Sequence, residues 1–304
     1  VALVAAVVIA ATAVGLFCER RSSFASVAAR VSLAVMLYAL VPFVSFVNIA
    51  HLHVTAGAGV GLVVAYIAIG FAGALAWTIG SRVLRLTRPE VGALICCVIL
   101  VNTGYLGLPM STALLGPHAL SSAVAYDQLI SGPTLFLVGF GVGAAFGTRA
   151  GTARSERFRS FLARNPPLLA VIAGLIAPAS AAPAVLVHAS HVVVAALLPL
   201  GFFAVGVNLS AERREEGAPF IELPDVRVIV AVLLRLCIPV AALAAVSTAI
   251  VTVPRAYLLQ AAMPTAVNSL IVGHAYGLDQ RLIATAIVWS TAAVIVLGVL
   301  IGAL

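Results

Sequence analysis

Val101-Asn102-Thr103-Gly104-Tyr105-Leu106-Gly107-Leu108-Pro109 interrupts an apolar run with an amide, two glycines and a proline, and Met263-Pro264-Thr265-Ala266-Val267-Asn268-Ser269 does the same to a later run. Pro109 has no N–H for the carbonyl of Tyr105, and it biases Leu108 away from helical geometry. In lipid a freed carbonyl must find another partner, so such a break persists only where protein or a watery cavity supplies one. The two stretches therefore predict broken helices near the middle of a bilayer.

The rest of the chain fits that solvent. Apolar residues make up 63% of the 304 positions, charged residues 9%, and the mean hydropathy is +1.18, far from the roughly one-quarter charged fraction of water-soluble domains. At roughly 20 apolar residues per span plus connections, about ten helices fit. Apolar runs lie near 1 to 18, 25 to 47, 54 to 80, 89 to 115 and 119 to 147, then near 166 to 187, 190 to 210, 226 to 252, 254 to 276 and 282 to 304. The first run is followed by Cys18-Glu19-Arg20-Arg21 instead of a small-residue cleavage pattern, so it reads as a span and not as a signal peptide.

All seventeen basic residues are arginine, and the formal net charge is +7. They fall in short gaps between apolar runs, which is how topology determinants are distributed; a nucleic-acid surface would gather them on one face. Odd-numbered loops carry Arg20, Arg21 and Arg30, then Arg82, Arg85 and Arg88, then five arginines from Arg149 to Arg164, then Arg213, Arg214 and Arg227, then Arg281. Even-numbered loops carry Arg255 alone. The asymmetry places the odd loops in the cytoplasm and both termini outside, in a multi-pass protein of the cell's inner (plasma) membrane.

Five spans per half make the second half enter the membrane in the opposite sense to the first. The halves share landmarks: Pro42 and Pro199 in their second spans, and the two interruptions in their fourth. The expected organisation is a first repeat over 1–147, a cytoplasmic linker over 148–165 and a second, inverted repeat over 166–304. If spans 4 and 9 both unwind centrally, the amino ends of their distal halves converge there. Each such end exposes unpaired N–H groups and the positive end of a helix dipole, and anions are the ligands this favours. Asn102 and Asn268 add directed donors without a fixed charge. The expected substrate site is Asn102, Thr103, Gly104, Pro109, Pro264, Thr265, Asn268 and Ser269, and a carboxylate is the expected ligand. Kinking and close packing account for other glycines, such as Gly57, Gly59 and Gly61.

At these two segments the chain resembles the auxin efflux carrier family, shared by bacterial members and plant PIN-type carriers. The run Asn102 to Pro109 is similar to the family's fourth-helix signature, and Gln260 to Ser269 followed by Tyr276-Gly277-Leu278-Asp279 to its ninth. Looser similarity extends to Pro42 and to Leu234-Arg235-Leu236 with Pro239. The resemblance implies an all-α fold of ten transmembrane helices in two inverted five-helix repeats, related to bile-acid and sodium/proton transporters. It implies that spans 1, 2, 6 and 7 form a scaffold, that spans 3–5 and 8–10 form a mobile transport domain, and that helices 4 and 9 cross at the substrate. It further implies elevator-type alternating access, carboxylate substrates (indole acetate in plants, malate or malonate in bacteria) and a homodimer. Val101 stands where plant carriers have a proline and Asn268 near where they have another, so the match is to the bacterial branch.

Ionisable groups inside the apolar runs are costly and are candidates for coupling. Asp127, about eight residues into the fifth span, could carry a proton or hold a sodium ion, or be a structural carboxyl paired with Gln128 or Ser131. Arg235 is expected to snorkel to the cytoplasmic interface, with lining an anion path or pairing with an acid as the other reading. His274, at the inner end of span 9, could relay protons. His51, His53, His118, His188 and His191 read as residues of the outer surface, with no third ligand evident for a metal at His188 and His191. Cys18, Cys96, Cys97 and Cys237 read as buried, inert thiols, and no cofactor is expected beyond a coupling Na+ or H+. An enzyme would need a nucleophile and base or a metal set on facing helices, and the sequence presents neither.

Overall fold

The computed structural model describes residues 2–21, 24–51, 56–148, 166–216 and 223–302, and among them helices are joined by short connections, with one isolated β-bridge. In chain order these are α1 (Ala2–Arg21), α2 (24–49), α3 (Ala56–Val83), α4a (Arg88–Ile99), α4b (103–115), α5 (117–146), α6 (Pro166–Ile176), α7 (Ala184–Glu216), α8 (Val226–Ala249), α9a (Arg255–Ala261), α9b (Asn268–Tyr276) and α10 (Gln280–Gly302). Among the described residues, four stretches are long and apolar enough to cross a bilayer unbroken: Ala56–Val83, Ala184–Ala204, Val226–Ala249 and Gln280–Leu300. The protein is an all-helical, multi-pass membrane protein. The linker arginines from Arg149 to Arg164, and His53, lie outside the described residues.

Prolines shape the helices without always ending them. Three π turns, Met36–Leu40, Thr103–Gly107 and Asp127–Ser131, each end two residues before a proline, at Pro42, Pro109 and Pro133. A proline ring crowds the carbonyl four residues back and cannot bond it, and a widened turn relieves both problems. For Pro133 that carbonyl belongs to Leu129, and the hydroxyl of Tyr66 on α3 donates to it. Leu108 is accordingly helical, with φ −62° and ψ −51°, contrary to the expected break beside Pro109. Elsewhere prolines do stop the chain. Pro178 follows α6 and Pro183 precedes α7, so the sixth helical stretch ends at Ile176 and the seventh begins at Ala184, several residues before the expected boundary.

The main core gathers α3, α4a, α5, α8, α9 and α10 around residues such as Ala72, Leu94, Cys97, Tyr257 and Ile283. A second cluster joins α2, α4b, α5 and α7 through Met36, Leu108, Leu120 and Leu197. The α1–α7 contact is set by two glycines. A Cβ on Gly15 would lie 2.2 Å from the Phe203 carbonyl oxygen, and one on Gly206 would lie 2.2 Å from that of Thr12.

One ionic cluster gathers three helix starts at a single point. Glu90 closes a capping box with Thr87 at the start of α4a. Asp225 caps α8 through the Val228 amide (3.0 Å), and Asp279 accepts from the Leu282 amide (2.9 Å) at the start of α10. Each acid satisfies an otherwise orphaned N–H. Arg227 then binds all three, at 2.6 Å to Glu90, 2.6 Å to Asp225 and 3.4 Å to Asp279. Burial raises the Asp225 pKa, but the hydrogen bonds and charge of Arg227 with the Val228 amide outweigh it, holding the carboxyl below its ordinary value.

Candidate functional site

Both predicted interruptions are real, and they meet. Helix α4a ends at Ile99, Leu100 is extended (φ −92°, ψ 118°), and Asn102 leaves helical geometry with φ −83° and ψ 62° before α4b begins at Thr103. Helix α9a ends at Ala261 and α9b resumes at Asn268. The unwound stretches pair antiparallel at Val101 and Thr265. The Asn102 amide donates to the Pro264 carbonyl (2.8 Å), and the Ala266 amide donates to the Leu100 carbonyl (2.9 Å). Each break thus supplies the other with the partners that lipid withholds. The Thr265 side chain donates to the Cys97 carbonyl (2.8 Å), and its amide donates to Ser290 on α10 (3.2 Å).

The crossing separates four helix ends by sign. The carbonyl ends of α4a and α9a meet at Arg235 of α8, which is fully buried; one guanidinium nitrogen donates to the Val98 carbonyl (3.0 Å) and the other to the Ala261 carbonyl. Arg235 therefore does not snorkel. Each helix end carries about half a negative charge, so two ends match one guanidinium. The amino ends of α4b and α9b, represented by Asn102, Thr103 and Gly104 and by Ala266, Val267 and Asn268, instead line a cavity of about 130 Å³. At α9b the Ser269 and Leu270 amides are already used, by the Ala266 (3.1 Å) and Val267 (2.9 Å) carbonyls. The side-chain nitrogen of Asn102 has no protein partner, although the residue is only 3% exposed.

Asp127, Gln128, Ser131 and Tyr105 line the same cavity. The Thr103 hydroxyl donates to one oxygen of Asp127, and the Gln128 amide donates to the other at 2.6 Å. Of the expected substrate residues, Asn102, Thr103, Gly104 and Asn268 line the cavity. Pro264 and Thr265 build the crossing, while Pro109 and Ser269 are buried away from the lining. His274 is exposed on α9b, apart from the cavity. His51 hydrogen-bonds the Ala182 carbonyl at 2.7 Å, tying the end of α2 to the α6–α7 connection. Cys96 and Cys97 are buried as expected, but Cys237 is exposed, because its face of α8 lies on the outside of the bundle. Ser290 is not marked in the sequence, because a serine in an apolar run carries no sign of its distant partner.

Residues 2–140 and 156–301 match the family described as Membrane transport protein. The chain belongs to that family. It is the family of the auxin efflux carriers, which the two interruption signatures resemble. The chain is also similar to an uncharacterised transporter of Methanocaldococcus jannaschii, with 27% identity over 237 residues that cover 75% of this chain and 73% of that protein. The protein is a membrane transporter and not an enzyme.

Proposed function

We propose that this chain carries short organic anions across the membrane, binding a carboxylate in the cavity at the crossing of its two interrupted helices. The observation that carries the reading is the segregation of helix ends. Both carbonyl ends are neutralised by Arg235, and both amino ends, with the unpartnered side-chain nitrogen of Asn102, are turned to one cavity. That arrangement presents N–H groups and positive dipole ends to a ligand. The cavity of about 130 Å³ is small beside the ~300–1,000 Å³ of drug-sized sites. It suits an acid of a few carbons, such as malonate or malate, better than one bearing an indole ring.

In this reading the helical stretches form ten spans in two inverted repeats. α1, α2, α6 and α7 are the scaffold, and the remaining helices move as an elevator that exposes the cavity to each side in turn. The glycine-mediated seam between α1 and α7, and the Arg227 cluster joining α4a, α8 and α10, support that division. The functional unit is a homodimer in the inner membrane, with both termini outside.

The test is flux of labelled malonate and malate into sealed proteoliposomes, against protein-free vesicles. Asn102→Ala and Asn268→Ala are each expected to reduce the flux at least tenfold while the purified variants keep the wild-type elution profile. Undiminished flux in both variants would refute the site.

A further inference from the structure

The positive end of α4b already has a negative occupant. The Asp127 carboxyl accepts from the hydroxyl of Thr103, the first residue of that half-helix, and its oxygens lie 3.5 and 3.8 Å from where a Cβ on Gly104 would stand. It is buried, and among the described residues no cation pairs with it. The groups around it are uncharged partners and phenols. Thr103 and Tyr105 face it from α4b, Gln128 and Ser131 from its own helix, and Tyr66 of α3 binds the neighbouring Leu129 carbonyl. α6, also packed here, and the Ala266–Asn268 stretch contribute no titratable side chain. An ionised Asp127 is thus a tethered copy of the ligand's own functional group, placed in the site the ligand needs.

Two carboxylates confined in about 130 Å³ with low-dielectric walls repel strongly, and such pairs do not both stay ionised. We infer that the carrier is a proton–carboxylate symporter in which Asp127 takes up one proton as the substrate carboxylate enters the crossing cavity. The proton comes from water on the loading side, resides on a carboxyl oxygen of Asp127 while the anion is bound, and leaves with it on the other side. Thr103 and Gln128 serve both states, because the hydroxyl can donate to the carboxylate or accept from the acid, and the amide can donate to the remaining oxygen. The site then holds one negative charge whether empty or loaded with a monoanion. Monocarboxylate transport is therefore electroneutral, and a dianion carries one net negative charge.

The inference rests on the carrier reading above, and the experiment separates the two. Malonate binding to the purified wild-type protein is expected to weaken about tenfold per pH unit on the alkaline side, the slope for one proton taken up with the ligand. In Asp127→Asn the affinity, whatever its absolute value, becomes independent of pH. If that variant cannot be purified folded, wild-type proteoliposomes loaded with a pH dye decide the matter, with one proton expected to enter per malonate. Malonate flux without proton movement, flux driven by a sodium gradient alone, or an unchanged pH slope in Asp127→Asn each overturns the inference while leaving the carrier intact. A wild-type protein that neither binds nor moves malonate or malate overturns both.

Discussion

Replacing Arg235 with methionine tests the electrostatic logic of the crossing. The side chain keeps much of its volume, but the Val98 and Ala261 carbonyls lose their donors, at about 1–3 kcal/mol for each buried acceptor left unsatisfied. Two helix ends of about half a charge each are left facing one another without a cation. Part of the cost, about 2–6 kcal/mol for the two acceptors, is returned because a buried charge no longer has to be desolvated. A net destabilisation of about 2–4 kcal/mol follows, or a fall of about 4–8 °C in the thermal midpoint at roughly 2 °C per kcal/mol. Arg235→Lys keeps the charge but cannot span both carbonyls, so it should fall between the two. Thermal unfolding in detergent with a thiol-independent fluorescence readout measures all three proteins. A midpoint in Arg235→Met at or above wild type, or a lysine variant weaker than the methionine one, would refute the argument that the guanidinium holds the two interrupted helices together.

Two further outcomes concern packing and the ionic cluster. Gly206→Ala brings a Cβ within 2.2 Å of the Thr12 carbonyl oxygen and should cost about 1–3 kcal/mol by overpacking α1 against α7; Gly59→Ala on α3 meets nothing within 4 Å and should be neutral or stabilising by up to about 1 kcal/mol, and thermal midpoints distinguish them. The carboxyl of Asp225, held below its ordinary value, contributes stability that is complete above the unfolded carboxylate value and is lost as the pH falls through the folded one. Acid titration of the wild type should therefore show stability falling as the pH drops from the ordinary carboxylate value to the lower folded one, and Arg227→Ala, which removes most of that depression, should shrink the loss, as read by intrinsic fluorescence.

Much of this architecture is legible in the residues, but the sequence locates the breaks less well than it announces them. Proline, glycine and asparagine mark both interruptions. The first lies at Leu100–Asn102 instead of beside Pro109, because a widened turn absorbs the proline and the unwound backbone sits where Pro264 and Ala266 can bond it. That pairing joins residues more than 160 positions apart, and no local pattern reports it. The fate of Arg235 is hidden for the same reason, since a long cationic side chain in an apolar run can reach outward or inward, and its two acceptors lie on other helices. Asp127 was recognisable from its depth, and Gln128 from its adjacency, while the hydrogen bond from Thr103 needed the fold. The capping acids Glu90, Asp225 and Asp279 were available as helix-start signals, although their convergence on Arg227 was not. Pro178 and Pro183 carry the α6–α7 boundary, since neither ring can continue a helix through its missing N–H.

The short β-bridge between Val101 and Thr265 constrains how any machine built on it can work. A carrier that split along its binding pocket would have to tear two backbone hydrogen bonds and strip Arg235 of its acceptors on every cycle. The knot is cheaper to carry than to untie, which is why the proposed carrier is given a sliding surface that runs around the pocket, with the cargo inside a piece that stays whole.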